Sequence, residues 1–237
     1  MPETAPKFDV KNLRVYQCAF WNEGDDHGGD IDLANEISLS KIEQNVFDDV
    51  TDAERVAGDT DFRKIFIRNE NEQSWAAVKA WISQFTLSPD DEISVLLGGT
   101  KSKASTSVTL TGTCTFAEST AVVGSGTLFK TELAVGEKIH NGVDPETFAK
   151  AIASITDDTH LTLAEAYGGE IGAGQTAKVA GIDLSTFVSP SSKVHADALV
   201  LGDLAKDAYK GVWIKRVVNV AAGGYDNNQF ALKFESS

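Results

Sequence analysis

The amino-acid sequence predicts an all-β protein, in which a β-sandwich carries a small inserted β-barrel or β-sandwich domain. Three observations support this class. Apolar residues alternate with polar ones at period two in many short segments, turns rich in glycine and aspartate separate these segments, and the composition changes in the middle of the chain. Short strands at such spacing are typical of small barrels and sandwiches.

The first part of the chain contains four predicted strands. Residues 11–20 alternate at period two, residues 62–69 place an apolar centre between charged ends, and residues 92–97 form an apolar run that ends in two glycines. Residues 74–85 are ambiguous, because their apolar positions fit both a helical and an alternating pattern. The neighbouring strands and the Ser-Pro-Asp-Asp turn at 88–91 favour a strand here too.

Three segments lie between these strands. Residues 22–32 form a polar loop rich in glycine and aspartate, and residues 48–61 are acidic and favour turns. Residues 37–47 contain several apolar side chains and are predicted to be strand-like or irregular.

Residues 105–180 are predicted to form the inserted domain. The chain becomes rich in serine and threonine at 101–113, and short β-type segments then alternate with glycine turns up to about residue 180. Loop tips of sandwiches tolerate long insertions, because the entropy of loop closure grows slowly with length. Residues 11–104 and 181–237 are then one discontinuous outer sandwich, and residues 1–10 form an N-terminal arm.

The last part of the chain contains two predicted strands and one predicted helix. Residues 209–220 and 229–234 have strand patterns and are joined by a polar turn at 223–228, which predicts a terminal hairpin with a long loop. Residues 201–209 are predicted to form the one short helix.

Charge and composition exclude several classes of protein. The chain has 237 residues, with 21 Lys and Arg against 35 Asp and Glu, so its formal charge is 21 − 35 = −14. This charge argues against sequence-independent nucleic-acid binding, which needs cations to neutralise phosphates. No window holds the ~20 apolar residues of a membrane-spanning helix, and we expect no secretory signal at the start. Cys18 and Cys114 are too few for a disulfide scaffold or a zinc site and are predicted to be buried, reduced thiols.

No catalytic motif stands out from the sequence. It contains neither a Walker-type phosphate loop nor a G-x-S-x-G elbow, and its four histidines are scattered: His27, His140, His160 and His195. We therefore expect no catalytic residue, no cofactor and no enzymatic activity. Two alternatives stay open, namely a Ser-His-Asp triad of distant residues and a glycan or peptidoglycan hydrolase with two carboxylates.

The densest polar cluster lies in the loop at 22–32. Asp25, Asp26, Asp30 and Asp32 are candidate calcium ligands, because Ca²⁺ takes oxygen ligands from flexible loops. Their spacing does not match an EF-hand loop, and the alternative is a solvated acidic loop that carries part of the net charge.

The four tryptophans raise the possibility of sugar binding. Trp75, Trp81 and Trp213 lie inside predicted strands, so we expect them in the core. Trp21 lies at the edge of the acidic loop and is expected to be the most exposed. A host-surface or carbohydrate-binding module would place Trp21 or Tyr225 at the surface beside polar groups.

Three segments resemble a family of structural proteins in tailed-bacteriophage virions. Residues 42–69 are similar to a pattern that joins Asn-x-Phe-x-Asp-Val, Ala-Glu-Arg-x-Ala-Gly and Phe-Arg-Lys-x-Phe elements. Residues 80–93 look like the following strand and its Ser-Pro-Asp turn, and residues 211–234 resemble a closing W-x-x-R…Y-D-N hairpin. Together they cover about half of the chain.

The inserted segment carries a second resemblance. Residues 123–139 and 153–163 look like a small β-module of phage tail and fibre proteins, with the pattern G-x-G-T-x-F…L-x-V-G-D-x-I and then S-I-x-x-D-T-x-L-T-L. Glu137 replaces the aspartate of that pattern, and residues 145–149 depart from its short hairpin.

These resemblances imply a non-enzymatic structural protein of a tailed-phage particle, assembled in the host cytoplasm and located in the virion. The first expectation is a capsid decoration or cement protein, or another exterior virion protein; the alternative is a tail or baseplate component. Its expected partners are major capsid or tail proteins and further copies of itself, with no nucleic acid and no membrane. An acidic surface suits docking to basic patches and repels DNA.

Overall fold

The protein is almost entirely β, as predicted: strands make up 48% of it and helices 8%. The structure is a computed structural model that describes residues 10–24, 26–38, 46–194, 196–224 and 229–236. Nearly all of the predicted N-terminal arm, Asp25, His195 and Tyr225 lie outside the described residues. No described helix has the length and apolar character needed to cross a membrane.

The described part of the chain contains sixteen strands and two short α-helices. In chain order the strands are β1 (Leu13–Phe20), β2 (Gly28–Glu36), β3 (Asp59–Asn69), β4 (Trp75–Gln84), β5 (Asp91–Gly98), β6 (Val108–Thr109), β7 (Thr113–Phe116), β8 (Ala121–Ser125), β9 (Lys138–Asn141), β10 (Lys150–Ile155), β11 (His160–Leu163), β12 (Gly172–Gln175), β13 (Ala177–Val179), β14 (Leu199–Leu204), β15 (Tyr209–Val218) and β16 (Ala231–Ser236). The helices are α1 (Asp52–Ala57) and α2 (Phe129–Glu132).

The chain divides into two compact units. The first contains Ile31–Leu96, Phe187–Ser237 and the residues up to Gln17, and the second contains Cys18–Asp30 and Leu97–Thr186. The second unit therefore extends beyond residues 105–180, the segment that the change in composition indicates as the inserted domain. The boundaries of that inserted domain stay a prediction.

The first unit is built from two antiparallel sheets. One has the strand order β2-β1-β3-β15-β5 and the other the order β14-β4-β16. Strand β4 confirms the strand interpretation of residues 74–85, and its Val78, Ala80 and Ile82 are buried. The central pair β3–β15 runs in unbroken register from Arg68 opposite Tyr209 to Asp59 opposite Val218. Side chains on both faces of this pair are buried, so it forms the centre of the unit.

Two predictions about the C-terminal part are wrong. The predicted hairpin does not form, because β15 pairs with β3 in one sheet and β16 pairs with β4 in the other. The predicted helix at 201–209 is strand β14 followed by a turn. Leu199, Leu201 and Leu204 are buried against β4, and Gly202 takes a left-handed φ of 76° at an irregularity in the pairing. Tertiary pairing thus overrides a weak helical spacing.

Helix α1 lies in the segment that the sequence marks only as turn-prone. Thr51 is its N-cap, and a capping box joins Thr51 and Glu54: the Thr51 hydroxyl accepts from the Glu54 N–H, and the Glu54 carboxylate accepts from the Thr51 N–H. Gly58 ends the helix with φ 77°, a conformation that favours glycine.

The second unit contains an antiparallel sheet that closes on itself. Its strand order is β12-β7-β8-β11-β10-β9-β13-β6. Only Thr176 separates β12 from β13, and the short segment 110–112 separates β6 from β7, so the two ends of the order are joined along the chain. Pairing of β6 with β13 and of β7 with β12 closes the barrel. Its interior holds one apolar cluster, which includes Phe116, Phe129 and Ile139.

Candidate functional site

The predicted calcium ligands are largely used in local hydrogen bonds. Asp26 Oδ1 accepts from Asn22 Nδ2 at 3.1 Å, and Asp30 is exposed. Asp32 accepts from the Ala34 N–H at 2.9 Å and from Asn35 Nδ2 at 2.7 Å, and these bonds lower the pKa of Asp32. Within the described residues, which leave out Asp25, no three His, Cys, Asp or Glu side chains are placed to hold a metal ion. Calcium binding stays a prediction.

His27 fixes the loop after β1, a role that the sequence does not reveal. Its Nδ1 lies 2.6 Å from the carbonyl oxygen and 3.2 Å from the backbone nitrogen of Asn22. Its Nε2 faces Cys18 Sγ at 3.5 Å. Both side chains are buried, and the Trp21 ring lies 5.5 Å from the His27 ring. The arrangement holds a loop in place and confirms that Cys18 is a buried free thiol.

A serine–histidine pair occurs in the second unit. Ser107 Oγ lies 3.2 Å from Nε2 of His140, which is buried. The Nδ1 of His140 lies 2.9 Å from the carbonyl oxygens of both Asn141 and Asp144. Glu146 contacts Ser107 rather than His140. In a catalytic triad a carboxylate orients the histidine; here backbone carbonyls do so, and the group fastens the turn after β9.

The motif residues of the outer domain meet at the central strands β3 and β15. We define the cation–aromatic cluster by the residues that the structure joins there: Phe47, Asp48, Asp61, Arg63, Lys64, Phe66, Trp213 and Arg216. They come from two of the three segments that carry the virion-protein resemblance. The cluster places three buried cations on the two faces of one strand pair.

Lys64 occupies one face of this pair. It is fully buried, and its Nζ lies 5.2 Å from the centre of the Phe66 ring and 5.3 Å from that of the Trp213 ring. Trp213 is directly opposite Lys64 in the ladder. Because an aromatic face carries negative charge density, the two rings offset part of the cost of burying the ammonium group.

Arg63 and Arg216 occupy the other face. Their guanidinium carbons lie 5.4 Å and 4.8 Å from the centre of the Phe47 ring. Arg216 also forms an ion pair with Asp61, which lies opposite it in the ladder, and donates to the Asp48 carbonyl oxygen at 2.7 Å. The arginine therefore ties the segment at 47–48 to both central strands.

The turn of the remaining resembling segment, residues 80–93, lies beside this arginine. Burial raises the pKa of Asp91, and the charge of Asp61 raises it further, whereas the positive charge of Arg216 lowers it. Burial and the neighbouring Asp61 also raise the pKa of Asp59. The Asp90 carbonyl oxygen accepts from the Asn219 N–H at 2.8 Å, just beyond β15. All three resembling segments thus meet around Arg216.

The two resembling segments of the second unit also contact each other. Thr127 Oγ1 donates to the Asp158 carbonyl oxygen at 2.5 Å, and the Asp158 carboxylate accepts from the Lys130 N–H at 2.9 Å. Glu137 accepts from the N–H groups of Gly99 and Ala134, each at 2.8 Å. These motif residues therefore hold the chain of the barrel together.

The tryptophans lie as predicted. Trp75, Trp81 and Trp213 are buried at 7%, 6% and 0% exposure, which confirms their core placement, and Trp21 is the most exposed of the four.

No protein-family model matches this chain, and neither a curated protein nor a solved structure matches it.

Proposed function

We propose that this chain is a non-enzymatic structural protein of a tailed-phage particle, located on the outside of the virion. Within that role we propose a capsid decoration or cement protein that binds the major capsid protein as a homo-oligomer. The chain would be assembled into the particle in the host cytoplasm.

One observation carries the proposal: the residues of the resembling segments contact one another. Arg216 bonds to Asp61 and to the Asp48 carbonyl, and lies beside Asp91. Motif residues that meet in a buried cluster help to specify a fold. Motif residues that perform a reaction meet instead at an accessible cleft. This supports a resemblance in architecture, and hence in structural role.

The charge of the chain supports an exterior position. A net charge of −14 repels packaged DNA and favours docking to basic patches on neighbouring subunits. Such docking is sensitive to ionic strength, because surface charges are screened over ~10 Å at 0.1 M salt.

Cosedimentation with assembled particles tests the proposal. Purified chain is mixed with capsids and, separately, with tails of the same phage that were assembled without it. We expect saturable binding to capsids, in a fixed ratio to coat subunits, that weakens as salt rises. An unrelated acidic protein of similar size and charge is the matched control and should stay in the supernatant.

Binding to tails alone would replace the capsid role by a tail or baseplate role. Binding to neither particle, together with retention on host cells or on glycans, would overturn the virion proposal in favour of an adhesion module. Turnover of cell-wall material that an Asp or Glu substitution abolishes would overturn the non-enzymatic role.

A further inference from the structure

Among the described residues, strand β16 has an open edge in the first unit. It is the outermost strand of the sheet β14-β4-β16, and its described neighbour is β4 alone. From Leu232 to Ser236 it pairs with β4 without irregularity. A regular strand of this kind presents a row of backbone N–H and C=O groups that another strand can bind.

The hydrogen bonds of β4 reveal which groups of β16 point outward. The Ile82 N–H donates to the Pro190 carbonyl oxygen at 2.8 Å, so Ile82 directs its backbone groups away from β16. Leu232 lies opposite Ile82, and the pair is therefore not hydrogen-bonded. Backbone direction alternates along a strand, so Leu232, Phe234 and Ser236 present their N–H and C=O groups to the outer edge.

We propose that this edge binds the same edge of a second copy of the chain, as an antiparallel two-fold pair centred on Phe234. Phe234 then lies opposite Phe234 of the second copy, and Leu232 lies opposite Ser236 of the second copy. Each of these pairs exchanges backbone hydrogen bonds, because their N–H and C=O groups are the ones that point outward.

Charge complementarity selects this partner and this register. Centring on Phe234 places Lys233 of each copy opposite Glu235 of the other. These are the non-hydrogen-bonded pairs, whose Cα atoms approach to about 4.5 Å and whose side chains are closest. Within one chain Lys233 Nζ contacts Glu235 Oε2 at 3.1 Å, and because the two side chains are 56% and 38% exposed, they can exchange this contact for the equivalent one across the edge. Lys193 contacts Glu235 at 2.7 Å and keeps a positive charge beside it.

The other edges of the first unit suit self-pairing less well. Residues 31–36 of β2 carry Asp32 and Glu36 with no Lys or Arg, so two copies would bring carboxylates together without compensation. Strand β14 has irregular pairing around Gly202, and bulges of this kind protect sheet edges. Strand β5 is bridged to Val188.

Charge reversal tests the pairing on the purified chain. K233E and E235K each place like charges opposite one another at both symmetric positions, and we expect each to weaken dimerisation on the order of tenfold or more. The double variant K233E/E235K restores both ion pairs across the edge and should dimerise more tightly than either single variant, although less tightly than the wild type because its new lysine lies beside Lys193. K206E, which breaks an exposed ion pair with Glu72 elsewhere in the unit, is the matched control and should leave dimerisation unchanged. Sedimentation equilibrium measures the dissociation constants.

Cysteine cross-linking tests the register, because oxidation traps even a weakly populated pair. In the double variant K233C/E235C each new thiol faces one of the second copy at a Cα separation that a disulfide spans. Oxidation should give a covalent dimer. K233C alone and E235C alone should stay monomeric under the same oxidation, because each new thiol then faces a native Glu or Lys. The native cysteines are buried.

A monomer at all accessible concentrations, with no cross-link in K233C/E235C, would overturn the inference. So would a dimer that K233E leaves intact, or equal cross-linking of the single-cysteine variants. Circular dichroism and thermal unfolding of each variant distinguish a loss of dimerisation from a loss of folding.

Self-association is part of the proposed function, but these tests use the chain without particles, so particle binding and edge pairing can fail separately.

Discussion

The two units bury charge of opposite sign. The first unit buries cations: Arg63, Lys64 and Arg216 lie against aromatic rings at its central strands. The second unit buries two carboxylates, Glu132 and Glu137. The comparison shows two solutions to the same problem, since a buried charge is tolerated only where neighbouring groups replace water.

The solutions differ in which groups replace water. In the second unit Glu132 accepts from the N–H and hydroxyl of Thr111 at 2.9 and 2.5 Å, and Lys101 lies 3.4 Å away. Glu137 accepts from two backbone N–H groups. The buried anions accept hydrogen bonds from backbone N–H groups, whereas the buried cations of the first unit lie against ring faces. The two arginines also donate to backbone carbonyl oxygens, and Arg216 pairs with one carboxylate.

The largest effect is expected from Arg216→Ala in the first unit. The change leaves Asp61 without its buried cation and removes a donor to the Asp48 carbonyl, so we expect a loss of about 3–5 kcal/mol in the free energy of unfolding. Urea unfolding followed by tryptophan fluorescence measures it, because Trp75, Trp81 and Trp213 lie in this unit. Arg14→Ala removes an exposed ion pair with Glu36 and should cost far less, because solvent screens exposed charges. Equal losses in the two variants would contradict the role of the cluster.

A smaller effect is expected from Glu137→Ala in the second unit. It removes the shared acceptor of two backbone N–H groups, and we expect a loss of about 2–3 kcal/mol. Hydrogen exchange of the Gly99 and Ala134 amides is the direct measurement, and both should exchange faster. The close approach of the Gly99 backbone to the Glu132 carbonyl oxygen depends on glycine, because a Cβ at position 99 would lie 2.2 Å from that oxygen. Unchanged protection of both amides would show that Glu137 does not hold this turn.

The smallest effect is expected from Asp91→Asn, and its sign is opposite. The pKa of Asp91 is raised in the folded protein, chiefly by burial, so the unfolded chain loses this proton first as pH rises above about 4. The free energy of unfolding falls through that range and stays lower at neutral pH. Asp91→Asn has no proton to lose at this position, so its free energy of unfolding should exceed that of the wild type by up to about 1 kcal/mol at pH 7. The difference should vanish near pH 3. Urea unfolding at several pH values measures both; a difference that does not depend on pH would contradict the argument.

Much of the fold follows from local pattern. Alternation at residues 74–85 correctly marks β4, and the apolar centres of residues 62–69 and 209–220 correctly mark β3 and β15. Helix α1 escapes that pattern because none of its residues is buried, although the Thr51-x-x-Glu54 capping box is a signal that could have revealed it. The helix predicted at 201–209 fails because Leu201 and Leu204 fit helical spacing while their burial is decided by β4.

The polar contacts could not be predicted in the same way. His140 meets Ser107, and Glu132 meets Thr111, across segments that no local pattern relates. The motif residues around Arg216 can be recognised in the sequence, but their mutual contacts cannot, because contacts between segments that are distant in the sequence depend on how the sheets assemble.

The sequence by itself determined the β class, the burial of three tryptophans and both cysteines, and the acidic charge, since each depends on residue type and local alternation. Only the tertiary structure decided which strand lies beside which. Strand β15 lies between β3 and β5 rather than beside β16, and its pairing with β3 places Trp213 opposite Lys64 and Arg216 opposite Asp61. That choice leaves β16 at a sheet edge. Burial and pairing of charges are long-range properties, and they are set by the assembled sheets rather than by the order of residues along one strand.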